Sequence, residues 1–88
     1  MPKMKIIKVI DGDTIQGPRK KFIRLAGVDA PETGTKGAAA ATHKLEDLVL
    51  KKTISYTEDA KSYGRIVGEV KAGPKSVNKA MKKFLDKK

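Results

Sequence analysis

The stretch "MKIIKVIDGDTIQGPRKKFIRLAGV", residues 4–28, decides how the chain folds. Residues 4–10 and 21–28 are dense in Ile, Val and Leu, the composition of β-strands. Gly17-Pro18 between them is a strong turn signal, so a hairpin is expected to join the second and third strands. Upstream of that hairpin, Asp11 and Asp13 flank Gly12 at the bend between the first two strands. Three strands in sequence, each broken by turn residues, predict an antiparallel start to the domain.

Downstream, "VDAPETGTKG" reads as a loop, and from Ala38 to Lys51 the period changes to helical. Ala41, Leu45, Leu48 and Val49 fall on one stripe, with His43, Lys44, Glu46 and Asp47 around the rest. Thr35 is the expected N-cap. "TISYT" then alternates with Ile54 and Tyr56 inward, "EDAKSYG" reads as a polar turn, and "RIVGEV" as a further strand ended by "AGPK". Ser76 is placed to cap a second helix whose apolar face is Val77, Ala80, Met81, Phe84 and Leu85. Three strands, a helix, two strands and a helix predict an α+β chain: a five-stranded Greek-key barrel of the OB type with two helices, as a single domain over residues 1–88. Fold alone does not assign function.

Composition excludes several chemistries. The 88 residues contain no Cys, which removes disulfides, thiol catalysis and Cys-ligated metals. One histidine, His43, removes multi-His metal sites, and it reads as a helix-surface residue. No apolar run reaches membrane-spanning length, and Lys8 interrupts the apolar part of "MPKMKIIKVI". No signal peptide, no membrane association and a cytoplasmic location are therefore expected. The net charge of +10 points to polyanions, DNA or RNA, although a solvated basic surface explains charge alone equally well. Met4, Met81, Phe22 and Phe84 are expected in the core. With two Phe, two Tyr and no Trp, no base-stacking platform is expected.

Polar groups interrupt the apolar pattern at a few places. Asp13 and Asp29 end neighbouring strands in this topology, so their carboxylates could converge. With a backbone carbonyl they would make an oxygen-only site suited to Ca2+ or Mg2+. An Asx turn and a Pro-kinked loop are the plain alternative. Arg24 lies inside "FIRLAGV", Glu32 follows Ala30-Pro31, and Arg65 follows Tyr63-Gly64. A glutamate can act as general base toward water, and arginines bind phosphoryl oxygens bidentately. An ion pair of Arg24 with Asp29 or Glu32, and a simple surface charge at Arg65, remain open beside that reading.

Taken together, "VIDGDTI", "IRLAGVDAPE", "YGR" and "SVNKAM", in that order, resemble the staphylococcal nuclease (thermonuclease-like) family from about Lys5 to Phe84. The resemblance implies an OB-type barrel and Ca2+-dependent hydrolysis of DNA and RNA at the 5′ P–O bond; Mg2+ or Mn2+ in place of Ca2+ stays open. It implies Asp13 and Asp29 as side-chain metal ligands and the Ala30 carbonyl as a backbone ligand. Glu32 would activate water, Arg24 and Arg65 would clamp the scissile phosphate, and Tyr63 would contact substrate. Asp11 would be a turn residue. Ala30 stands where the family often has Thr, a change a backbone ligand tolerates, and the loop "TGTKG" is shorter than in the best-known members. A monomer is expected, with dimerisation open. The competing expectation is a non-catalytic basic OB-fold module that binds nucleic acid.

Overall fold

The computed structural model describes residues 2–31 and 34–86. Among them, β1 (Lys3–Lys5), β2 (Lys8–Asp11), β3 (Thr14–Gly17) and β4 (Lys21–Leu25) precede α1 (Ala38–Val49). Then follow β5 (Thr53–Tyr56), β6 (Ala60–Ser62), β7 (Arg65–Gly68), β8 (Val70–Ala72), β9 (Lys75–Ser76) and α2 (Val77–Asp86). The strands form two sheets, ordered β1-β5-β8-β9 and β2-β3-β4-β7-β6. The α+β class is as expected; the described residues form nine short strands, more than the five extended runs read from the sequence, because several of those runs divide between the two sheets.

The difference has a local cause. The expected first strand, residues 4–10, divides because its halves bond to different partners. Ile6 N–H donates to the Lys52 carbonyl (2.9 Å), whereas Ile7 N–H donates to the Gln16 carbonyl (2.9 Å). The run "RIVGEV" divides likewise at Glu69, whose N–H donates to Thr57 Oγ1 (2.9 Å) instead of joining a ladder. A Cβ at Gly68 would collide with the Thr57 carbonyl, so only glycine permits this approach. Strands that bend between sheets in this way make the corners of orthogonal β packings.

The hairpin at Gly17-Pro18 forms, with Gly17 opposite Lys21. The segment "EDAKSYG" is not merely a turn, because β6 lies within it and pairs antiparallel with β7. Tyr63 (φ 52°) and Gly64 (φ 78°) form its two-residue tip, and positive φ at both positions is what the twist of a tight hairpin requires. β4 and β7 are the parallel pair, which needs the long crossover that carries α1.

Both helices bury the faces read from the sequence. Ala41, Leu45, Leu48 and Val49 of α1 are buried, as are Val77 and Met81 of α2, while Ala80, Phe84 and Leu85 pack on the same core from its edge. Ser76 Oγ accepts the Lys79 N–H (3.3 Å) and so caps α2. At α1, Gly37 rather than Thr35 occupies the cap position, with φ 87°, and Thr35 contributes its carbonyl to Ala38 N–H (3.1 Å). Asn78 is the buried polar residue that ties α2 to the sheets. Its Oδ1 accepts Val70 N–H (2.9 Å), and its Nδ2 donates to the carbonyls of Ala26 (2.9 Å) and Gly68 (3.2 Å). Among the described residues no helix is long and apolar enough to cross a membrane.

Candidate active site

β2 carries an irregularity between Val9 and Asp11, and the chain then reverses through Asp11-Gly12-Asp13. Asp11 Oδ1 accepts the Asp13 N–H (3.1 Å), an Asx turn that sets the direction of the following strand. The Leu25 N–H donates to the Asp13 carbonyl (2.8 Å), which holds the turn against the end of β4. A Cβ at Gly12 would lie 2.6 Å from Ala41 Cβ and 2.8 Å from Ala30 Cβ. The turn is thus pressed between α1 and the loop after β4, and glycine is needed for that approach.

The Asp13 carboxylate is the centre of this arrangement. Its Oδ1 accepts the Thr14 hydroxyl (3.0 Å); its Oδ2 accepts the Ala30 N–H (3.4 Å) and lies 3.5 Å from Arg24 Nη2. Among the described residues the partner of Arg24 is therefore Asp13, not the Asp29 considered from the sequence. The pair is long, and Arg24 keeps 36% of its side-chain exposure against 13% for Asp13, so its guanidinium still faces solvent.

Burial raises the Asp13 pKa above its ordinary 3.8, and the hydrogen bond and charge of Asp11 raise it further; the Thr14 and Ala30 hydrogen bonds act the other way. A carboxylate whose folded pKa is raised binds its proton more tightly in the folded chain. Its contribution to stability is therefore favourable at low pH and is lost as pH rises from about 4 through the raised value. At neutral pH the charged Asp13 opposes folding. Asp13→Asn should accordingly raise Tm in a chelator at pH 7, and the advantage should shrink as pH is lowered to about 4. Thermal melts across that range check it; an advantage unchanged with pH would show that the Asp13 charge is not the cause.

A second group forms on the outer face of the larger sheet. Arg24 is opposite Val67 across the parallel pair, and Arg65 lies two residues before Val67 on the same face. Ile23, Leu25 and Ile66 are the alternate, buried positions. Arg24, Tyr63, Arg65 and Val67 consequently line one cleft of about 370 Å³. Tyr63, at the hairpin tip, is fully exposed.

Asp29 is exposed and lines a groove with Gly27 and with Lys82, Leu85 and Asp86 of α2, and no contact joins it to Asp13 among the described residues. Glu32 lies outside the described residues. Among the described residues no three His, Asp or Glu side chains gather in a metal-binding group. Of the expected site residues, the structure joins Asp13, Arg24 and the Ala30 backbone, and separately joins Arg24, Tyr63 and Arg65. Thr14 had no role in the sequence reading, yet it is buried with its hydroxyl on Asp13. Its position directly after "DGD" was the only available signal.

The family model described as "Staphylococcal nuclease homologue" matches residues 22–84. The chain is 35% identical over 72 residues to a protein of Shigella flexneri named micrococcal nuclease, a match covering 77% of this chain and 41% of that protein. It is 39% identical over 72 residues to an Escherichia coli protein named uncharacterized endonuclease, covering 77% of this chain and 47% of that one. The matched region thus spans less than half the length of either relative.

Proposed function

The chain belongs to the staphylococcal nuclease family, and from that premise we propose that it is a divalent-metal-dependent nuclease, hydrolysing phosphodiester bonds of DNA or RNA with little sequence preference. The observation that carries this reading is the convergence of Arg24 and Arg65 on one cleft, with Arg24 also reaching the Asp13 carboxylate. Two guanidinium groups from parallel neighbouring strands are suited to grip the non-bridging oxygens of one phosphate. They remain charged at any working pH, so they meet the growing negative charge of the pentacoordinate phosphorus without proton transfer.

The chemistry of the proposed donors suits a hard divalent cation: carboxylate oxygens and a backbone carbonyl, with Asp13 a partly buried carboxylate beside a second acid, Asp11, whose ion pair to Arg24 is long. Asp13, Asp29 and the Ala30 carbonyl would hold Ca2+, with Mg2+ or Mn2+ as alternatives. The ion would polarise a phosphoryl oxygen and favour the attacking water. Glu32 is assigned the proton of that water on sequence and family grounds. As the new P–O bond forms, the bond to the 5′ oxygen breaks and leaves a 3′-phosphate. Tyr63, at the mouth of the cleft, contacts the substrate.

The scaffold proposed for this chemistry is a five-stranded OB-type barrel in a single monomeric domain. Chain continuity supports it, since β1 runs into β2, β5 into β6 and β7 into β8, and each run contributes to both sheets. The test is cleavage of a labelled single-stranded DNA and an RNA with Ca2+, with a chelator, and by a Glu32→Ala protein purified in parallel. Cleavage that requires both Ca2+ and Glu32 is expected. Salt-sensitive binding without cleavage would instead identify a non-catalytic nucleic-acid-binding module.

A further inference from the structure

Phe22 does not lie in the core, contrary to the expectation from composition. The reason is parity. Val9, Ile15, Ile23 and Ile66 are partners in register across β2, β3, β4 and β7, and all four are buried. Their immediate neighbours therefore make a row on the opposite, outer face. Lys8 is paired with Gln16 and Gln16 with Phe22. The Ile23–Ile66 and Arg24–Val67 partners then bring Phe22 beside Arg65. The outer row reads Lys8, Gln16, Phe22, Arg65, with Lys8 and Arg65 exposed and Gln16 and Phe22 half-buried.

This row begins at the proposed phosphate clamp and leaves it across the sheet. Three inter-strand steps of about 4.8 Å make it about 14 Å long. It contains no acid, it ends in a lysine, and its one aromatic ring is adjacent to an arginine of the cleft. A sheet face of this kind suits single-stranded nucleic acid, whose bases stack on exposed rings while cations follow the phosphates. Double-stranded DNA keeps its bases stacked inside and has no use for such a ring.

We propose that the outer face of the β2-β3-β4-β7 sheet is an extended subsite for single-stranded nucleic acid, with Phe22 stacking a base next to the scissile phosphate and Lys8 holding a phosphate farther along. The proposal rests on the nuclease reading for the location of the scissile phosphate, but its test does not require turnover. Binding of fluorescent oligothymidylates of three and ten nucleotides is measured by anisotropy in a chelator, where no cleavage intervenes. Phe22→Ala should weaken binding of the ten-nucleotide probe by about 5- to 150-fold, the usual range for removal of a base-stacking ring. The loss should be larger for the long probe than for the short one. Phe22→Trp should restore the affinity, a rescue that a role in sheet packing alone would not produce for binding at unchanged Tm. Lys8→Ala should lower the slope of log K against log salt by about 0.7, the value for one phosphate contact on a single strand.

Unchanged affinity for the ten-nucleotide probe in a folded Phe22→Ala protein would overturn the subsite, whatever the outcome for cleavage. So would a loss in affinity that Phe22→Trp fails to restore although both proteins melt as the wild type does. Phe22-dependent binding in a protein that never cleaves would keep the subsite and remove the nuclease reading.

Discussion

Arg65→Ala should lower the single-turnover cleavage rate by about 10³-fold, within the range seen when a single donor or arginine facing transition-state charge is removed. The residue is exposed at the first position of β7, so its loss should change stability by no more than about 0.5 kcal/mol. Arg65→Lys should recover little of the rate, because a point charge does not reproduce the two-pronged contact of a guanidinium with phosphate. Arg24→Ala makes the informative contrast. It should lower the rate as steeply and lower Tm as well, since it removes the cation 3.5 Å from a carboxylate that is already raised in pKa by burial. Rates and melts on the same protein samples separate the two arginines. A rate for Arg65→Ala within tenfold of wild type would remove that residue from the transition state.

Asn78→Ala should be the most damaging substitution for folding. The amide satisfies the Val70 N–H and the carbonyls of Ala26 and Gly68 at once, and the residue is only 5% exposed. Gly68 has a second donor in the Ala26 N–H (2.8 Å), which softens one loss. The cost is about 3 kcal/mol, set by backbone groups left buried without partners. For a domain of this size that corresponds to a Tm lower by roughly 12–24 °C. Asn78→Asp should fail similarly, because a carboxylate can accept from Val70 but cannot donate to either carbonyl. A melt within about 3 °C of wild type for either variant would show that water or a backbone shift replaces the amide.

The helices were legible from the sequence because their signal is local. A stripe at helical spacing must pack against something, and both stripes pack on the core, that of α2 with Ala80, Phe84 and Leu85 at its edge. The cap of α2 was legible for the same reason, whereas the cap of α1 depended on how the preceding loop enters the helix, and there Gly37 displaced Thr35. The strands were legible as extended runs but not as members of sheets. Residues 4–10 look like one strand because the apolar residues are continuous; only the separate partners of Ile6 and Ile7 divide them. β6 was missed because "EDAKSYG" is mostly polar and shows no apolar alternation, and its pairing with β7 comes from the hairpin tip.

The site divides along the same line. Residue chemistry marked Asp13, Asp29, Arg24, Glu32 and Arg65 before any fold was known, since acids and arginines interrupting an apolar pattern serve little purpose in a core; Tyr63 came only from the family resemblance. Which of them meet is a property of register. The pairing of Arg24 with Val67 brings two arginines into one cleft, and the pressing of Gly12 against Ala30 and Ala41 brings the Ala30 backbone to Asp13. Phe22 shows the limit most clearly: hydrophobicity assigned it to the core, and strand parity turned it outward beside Arg65. What the sequence by itself determined was the inventory of charges, ligands and apolar faces, because those follow from side-chain chemistry and local periodicity. Which of them share a face was decided by tertiary structure alone, because strand register is set between segments distant in the chain.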